Sequence, residues 1–271
     1  MIFFKKQEEQ RQTDTLNRRH FIALGAGALS IASTQKLYAA EELPTPREIG
    51  RKFDIDGRVR AFAGNTIICH LEQQNGGYDV FNNFLDFYRN LPTLDFSSKI
   101  AALPPSSYHM TVFGGANDQS RQLNLWPSDV SLQAPMDECN EHFYEKLKSF
   151  HTRLQTPIRM VIDDRRFVGA PATIGLKPEN SIEASRLKDI RKRLADLLKI
   201  GPEKIDHYRF HVTLAYQTKE LTREEFSSYM SYMHTFIGSL KKNVPVISFG
   251  SPEFCTFQDM YSFRRKFFLR A

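Results

Sequence analysis

Two tetrapeptides of one type, His109-Met110-Thr111-Val112 and His211-Val212-Thr213-Leu214, lie in the two halves of a 271-residue chain, each inside an apolar stretch. An imidazole gives or takes a proton near neutral pH, and a threonine hydroxyl beside it hydrogen-bonds an oxyanion without being consumed. A facing pair doubles both functions. One histidine deprotonates an attacking water or hydroxyl, the other protonates the leaving oxygen, and the two threonines hold the non-bridging oxygens of a phosphate. The expected site therefore has His109 and His211 as catalytic residues, Thr111 and Thr213 as phosphate ligands, and no metal.

These residues need strands to position them. Side chains alternate faces along a strand, so residues two apart point the same way. His109 and Thr111 then share a face, with Tyr108, Met110 and Val112 on the other. Behind His211 and Thr213, residues Phe210, Val212 and Leu214 repeat the apolar pattern. Both segments read as strands with one polar face.

With their flanks, Ser107-Tyr108-His109-Met110-Thr111-Val112-Phe113 and Arg209-Phe210-His211-Val212-Thr213-Leu214-Ala215-Tyr216, the motifs resemble the 2H (two-histidine) phosphoesterase superfamily, in particular a little-characterised bacterial and fungal branch. The resemblance covers most of residues 50–271. It implies an α+β fold: a duplicated, bilobal unit in which two mainly antiparallel sheets line a central cleft, with helices outside. It also implies metal-independent phosphodiesterase activity on a cyclic phosphodiester, such as a 2′,3′-cyclic nucleotide or an RNA end, with no cofactor. Either histidine can serve as the base. The alternative is a non-catalytic binder that holds a nucleotide or phosphoester in the same cleft.

At the N-terminus, Asn17-Arg18-Arg19-His20-Phe21-Ile22 precedes a moderately apolar run to Thr34, with Lys5, Lys6 and Arg11 before it and alanines at 39 and 40. This resembles a twin-arginine export signal, and its apolar run is too short and interrupted for a membrane span. Asn17 stands where serine or threonine is usual, and Tyr38 is bulky for a cut after Ala40. The expected organisation is a leader over 1–40, an irregular arm over 41–64 that wraps the domain, and a bilobal domain over 65–271. It implies contact with the export machinery, a periplasmic or exported mature protein, and no stable membrane span in the mature chain.

The leader holds six of the Lys/Arg residues against Glu8, Glu9 and Asp14, and so carries half of the formal charge of +6. A mature chain near +3 (6 − 3) lacks the basic field that dominates duplex binding, which points to a small nucleotide, phosphoester or RNA-end partner. Cys69, Cys139 and Cys255 have no metal-type spacing, and their odd number leaves one unpaired. Cys69 and Cys255 lie in strand-like segments and are read as buried free thiols or a pair. His70, His142, His151, His207 and His234 have no partner at chelating spacing and read as structural.

Further along, a strand is expected over 66–71 and a turn at Asn75-Gly76-Gly77. A helix follows whose core stripe is Tyr78, Phe81, Phe84, Leu85 and Tyr88. A strand near 98–103, turned by Pro104-Pro105, forms a hairpin with the first motif strand, which Gly114-Gly115 ends. Residues 116–135 form a long loop whose Trp126 serves as an anchor or a base-stacking ring. The second half has a helix near 136–154, strands at 158–163 and 172–176, and a helix over 182–199 with leucines on one face and basic residues on the other. A motif strand over 208–216, a helix over 223–239 capped by Thr222, and strands at 246–257 and 260–269 complete the chain. Tyr108, Phe210, Tyr216 and Trp126 are candidate ligand neighbours, with Tyr108 and Phe210 expected to face away from the histidines.

Overall fold

A contiguous apolar run within 64–70, period-two apolar patterning from His109 to Val112 and helical patterning over 78–90 and 181–198 set the element order. The computed structural model describes residues 46–164, 172–201 and 208–271, so the expected leader, the start of the arm and His207 lie outside the described residues. The first half runs β1 (Gly64–His70), α1 (Tyr78–Asn90), β2 (Ile100–Ala102), β3 (His109–Asn117) and α2 (Met136–Leu147). Next come β4 (Ile158–Ile162), β5 (Thr173–Pro178), α3 (Ser181–Leu198), β6 (His211–Thr213) and β7 (Ala215–Gln217). The chain ends with α4 (Arg223–Asn243), β8 (Ile247–Phe249), β9 (Glu253–Phe257) and β10 (Phe263–Phe268).

The fold is α+β. Eight strands make one antiparallel sheet in the order β10-β9-β1-β3-β6-β5-β4-β8, and β2 with β7 makes a second, two-stranded sheet. The halves β10-β9-β1-β3 and β6-β5-β4-β8 meet where Met110 pairs with Val212. The two expected lobes are thus halves of a continuous sheet, each offering its His-x-Thr strand to the seam. Met110, Val112, Val212 and Leu214 are all fully buried, which locks the register: a one-residue slip would turn every apolar side chain to the polar face.

Helices cover the sheet. α2 packs beside β1 and β9, with Phe143 stacked on Phe254 at 6.2 Å; α3 packs beside β3 and β5, and α4 beside β4 and α1. α4 begins with a reciprocal cap in which the Thr222 side chain accepts from Glu225 N while the Glu225 carboxylate accepts from Thr222 N, a device worth about 1 kcal/mol. At the start of α3, Asn180 accepts from Ile182 N and Glu183 N. Among the described residues, no helix is long and apolar enough to cross a membrane.

Four local expectations are corrected. β2 does not form a hairpin with β3; it pairs with β7, because Pro104 and the 3-10 turn Pro105–Ser107 redirect the chain. Gly114-Gly115 does not end β3, which runs on to Asn117. A Cβ on Gly115 would sit 1.9 Å from Asn65 Oδ1 and 2.5 Å from Asn65 O, so this glycine permits close approach to β1. In α1 the buried stripe is Phe81, Phe84 and Phe87, while Tyr78 and Tyr88 are exposed, because Phe87 turns inward onto Tyr232 and Phe236 of α4. The second motif strand is short: Leu214 donates to Ala172 O and accepts from Leu103 N, which splits it into β6 and β7.

Candidate active site

The register at the seam builds the site. With Met110 opposite Val212 in an antiparallel pair, His109 falls opposite Thr213 and Thr111 opposite His211. All four side chains point to the face away from the Met110 and Val212 side chains and line one cavity of about 430 Å³. The two histidines occupy one diagonal and the two threonines the other, and such diagonal neighbours lie about 7–8 Å apart. A tetrahedral phosphate fits between them, with an imidazole on either side.

Both rings are held in the same way. His109 Nδ1 donates to Ser107 O at 2.6 Å and His211 Nδ1 donates to Arg209 O at 2.7 Å, in each case the carbonyl two residues earlier. A carbonyl only accepts, so Nδ1 carries the proton and Nε2 is the atom free to exchange one with a ligand. The strand's own backbone therefore fixes tautomer and orientation twice over.

Electrostatics favour neutral rings in the empty cavity. Burial drives His109 down to about 4; its bond to Ser107 opposes this, His70 and His211 add repulsion, and Glu253 attracts. Burial also lowers His211, against the bond to Arg209, and Lys52 lowers it further. An anion bound between them supplies the missing counter-charge and favours protonation of either ring.

Other elements complete the walls. The arm over 46–63 contributes Glu48, Arg51, Lys52 and Phe62 to the cavity, and Lys52 Nζ reaches Tyr216 Oη at 3.3 Å. Arg191 of α3 is buried, against the expectation of an outward basic face; it donates to Val112 O and stacks on Tyr208 with 3.8 Å to the ring centroid. Tyr208 in turn is hydrogen-bonded to Thr111. Edge-on to His109 at 4.4 Å stands Phe263, followed by Phe257 at 5.2 Å from Phe263. Arg51, Lys52 and Arg191 against Glu48 leave the lining cationic, which suits an anionic ligand.

Of the candidate ligand neighbours, Tyr216 lines the cavity, whereas Tyr108 and Phe210 are buried behind the motif strands. Trp126 is an anchor, 2% exposed, with Nε1 bonded to Ser131 O and Arg121 stacked at 4.2 Å. Lys52, Arg191 and Tyr208 are not among the residues expected from sequence. Only the proximity of Tyr208 to His211 along the chain could have signalled any of them.

Residues 52–170 match the family model described as 2H-phosphodiest: Domain of unknown function (DUF1868). Over this segment the chain is similar to that 2H-phosphodiesterase family. The matched segment holds β1, β3 and the first His-x-Thr pair, and the match supports a phosphoesterase-type function. A crystal structure of a conserved protein of unknown function from Agrobacterium tumefaciens str. C58 is 26% identical, with a TM-score of 0.74 over 83% of this chain and 92% of that one. A protein of Thermus thermophilus, TT0787, is 16% identical with a TM-score of 0.34 over 71% of this chain and 86% of that one, too remote to carry an argument. No protein of curated function matches the chain.

A second polar group lies beside the 2H site. His70, Glu253 and Cys255 bring one ligand-type atom each within 4.8 Å of one another. His70 Nδ1 is 2.5 Å from Glu253 Oε1, and Arg265 reaches Glu253 Oε2 at 3.3 Å, so the carboxylate is already paired with two cationic-type partners. Burial would push Glu253 up, but the hydrogen bond and charge of His70 and the charge of Arg265 hold it below the ordinary range. Burial pushes the Cys255 thiol well up, and all three cysteines are free and buried. His70 is therefore not an isolated structural histidine. Its partner comes from the far end of the sequence.

Proposed function

We propose that the protein is a metal-independent phosphodiesterase that opens a cyclic phosphodiester, such as a nucleoside 2′,3′-cyclic phosphate or an RNA end, by histidine acid–base catalysis. The observation that carries this reading is the paired, equally oriented imidazoles, each with Nδ1 bonded to a backbone carbonyl and Nε2 left for the ligand. One Nε2 accepts a proton from water as its oxygen attacks phosphorus. The endocyclic P–O bond breaks, and the other Nε2 gives its proton to the departing alkoxide. A phosphomonoester leaves, and the rings exchange a proton with solvent before the next turnover. Thr111 and Thr213 hold the non-bridging oxygens, and Arg51 and Lys52 attract the anion.

The test is cleavage of a panel of cyclic and linear phosphodiesters in chelator by the parental protein and by His109→Ala, His211→Ala and Thr111→Val. Each histidine variant is expected to lose about 10²–10⁴-fold in kcat. Thr111→Val should cost about 2.7–4 kcal/mol in the transition state. Parental rates in both folded histidine variants would refute the reading. Retention of an unaltered nucleotide without turnover would replace it with a binding function.

A further inference from the structure

The His-x-Thr strands are related by a local two-fold, yet acid–base catalysis needs two histidines in different protonation states. Something must distinguish them. Outside β3 the register places His70 of β1 directly opposite His109, whereas outside β6 it places Gly175 of β5 opposite His211. One imidazole thus has an imidazole neighbour at the position where the other has no side chain. The His70 and His109 rings lie 6.1 Å apart at 69°, and His70 is tied from behind to buried Glu253, through both Nδ1 at 2.5 Å and its backbone N at 3.3 Å.

We propose that the His70–Glu253 pair is a positioning pair that breaks the symmetry of the site and makes His109 the base and His211 the acid. This rests on the phosphodiesterase reading above. Glu253 fixes the His70 ring where it faces His109, and there His70 opposes a proton on the His109 ring. The other charged groups around His109 are His211 on β6, Glu253 on β9 and Arg265 on β10, the last paired with Glu253; around His211 they are Lys52 of the arm and, beyond Tyr208, Arg191 of α3. Burial is the largest cause of the lowering at His109, and repulsion from His70 adds to it ahead of the opposing attraction of Glu253. Of the two rings, His109 is thus the one more readily held neutral and His211 the one more readily protonated, which matches the roles of base and acid. The opposite assignment would require a minority protonation state at every pH.

The experiment is an NMR titration of the histidine ring protons in chelator, with His109 and His211 signals assigned by their alanine variants, in the parental protein and in His70→Gln, whose amide can still donate to Glu253. In the parental protein His109 should titrate below His211, and in His70→Gln it should rise by about one pH unit while His211 stays. The rising, acid-side limb of kcat/KM should move up by the same amount, about tenfold in rate below it, with the alkaline limb unmoved. If the two rings titrate together in the parental protein, or His70→Gln moves neither or both alike, the proposal is overturned. Movement of the alkaline limb alone would reverse the assignment and also overturn it. The parental titration stands should His70→Gln not fold. Because the titration needs no substrate, absence of any phosphodiester turnover would refute the phosphodiesterase reading separately.

Discussion

At the level of single residues, burial lowers both imidazoles of the site and so favours their neutral forms in the empty cavity. His109 lies at about 4 in the empty cavity and His211 is also lowered. The profile of kcat/KM reports the free protein, and that of kcat reports the complex. The rising limb of kcat/KM should therefore lie below the ordinary histidine value of about 6.5, because protonating the base abolishes turnover only once the pH falls through its lowered value. If the proposed phosphodiester binds between the rings, its charge will stabilise imidazolium, and the same limb of kcat should then lie at higher pH. Paired pH profiles test this; coincident limbs, or a kcat/KM limb above 6.5, would contradict it. The His-x-Thr pairs were legible in sequence because strand alternation alone makes a histidine and a threonine two residues apart share a face. The fixed tautomers were not, since each depends on the bend that brings Ser107 O or Arg209 O against its own ring.

At the level of elements, the site is aligned by the pairing of β3 with its neighbours, and glycine usage there is informative. Gly115 lies against Asn65, whose Oδ1 accepts from Ala116 N at 3.1 Å, whereas Gly114 has open space around its Cβ position. Gly115→Ala should destabilise the fold by about 1–3 kcal/mol in denaturant unfolding, as overpacking does, while Gly114→Ala should leave stability within about 0.5 kcal/mol. Equal midpoints for the two variants would show that the close approach is not required. In sequence Gly114-Gly115 reads as a strand end, because two glycines lack both side-chain packing and β propensity; tertiary contact with β1 overrides that signal. The hairpin reading of β2 fails for a related reason: the partner of Ile100 is Gln217, far along the chain. The His70–Glu253 pair is invisible in sequence for the same reason, since pairing of Ile68 with Glu253 is what brings β9 beside His70.

At the level of the whole molecule, one eight-stranded sheet holds two half-sites together across a narrow seam, with Met110 and Val212 as its registered pair. Under the proposed function, a single site shared by both halves requires the two histidines to take different roles. The α+β class followed from the family resemblance and the coarse element order, and most helices and strands from periodicity, whereas the joining of the two expected sheets into one, and the arm bringing Arg51 and Lys52 to the cavity, follow from long-range contacts that no local pattern carries. The measurement that bears most directly on the shared site is the leaving-group dependence of cleavage in His109→Ala and His211→Ala, using phosphodiesters with an alkoxide or a nitrophenolate leaving group. Both variants should be about 10²–10⁴-fold slower with the alkoxide, and His211→Ala alone should recover most of its rate with nitrophenolate, which departs without a proton. Parental rates in both variants, or equal losses in both on both substrates, would contradict two histidines acting as an acid and a base on one phosphate.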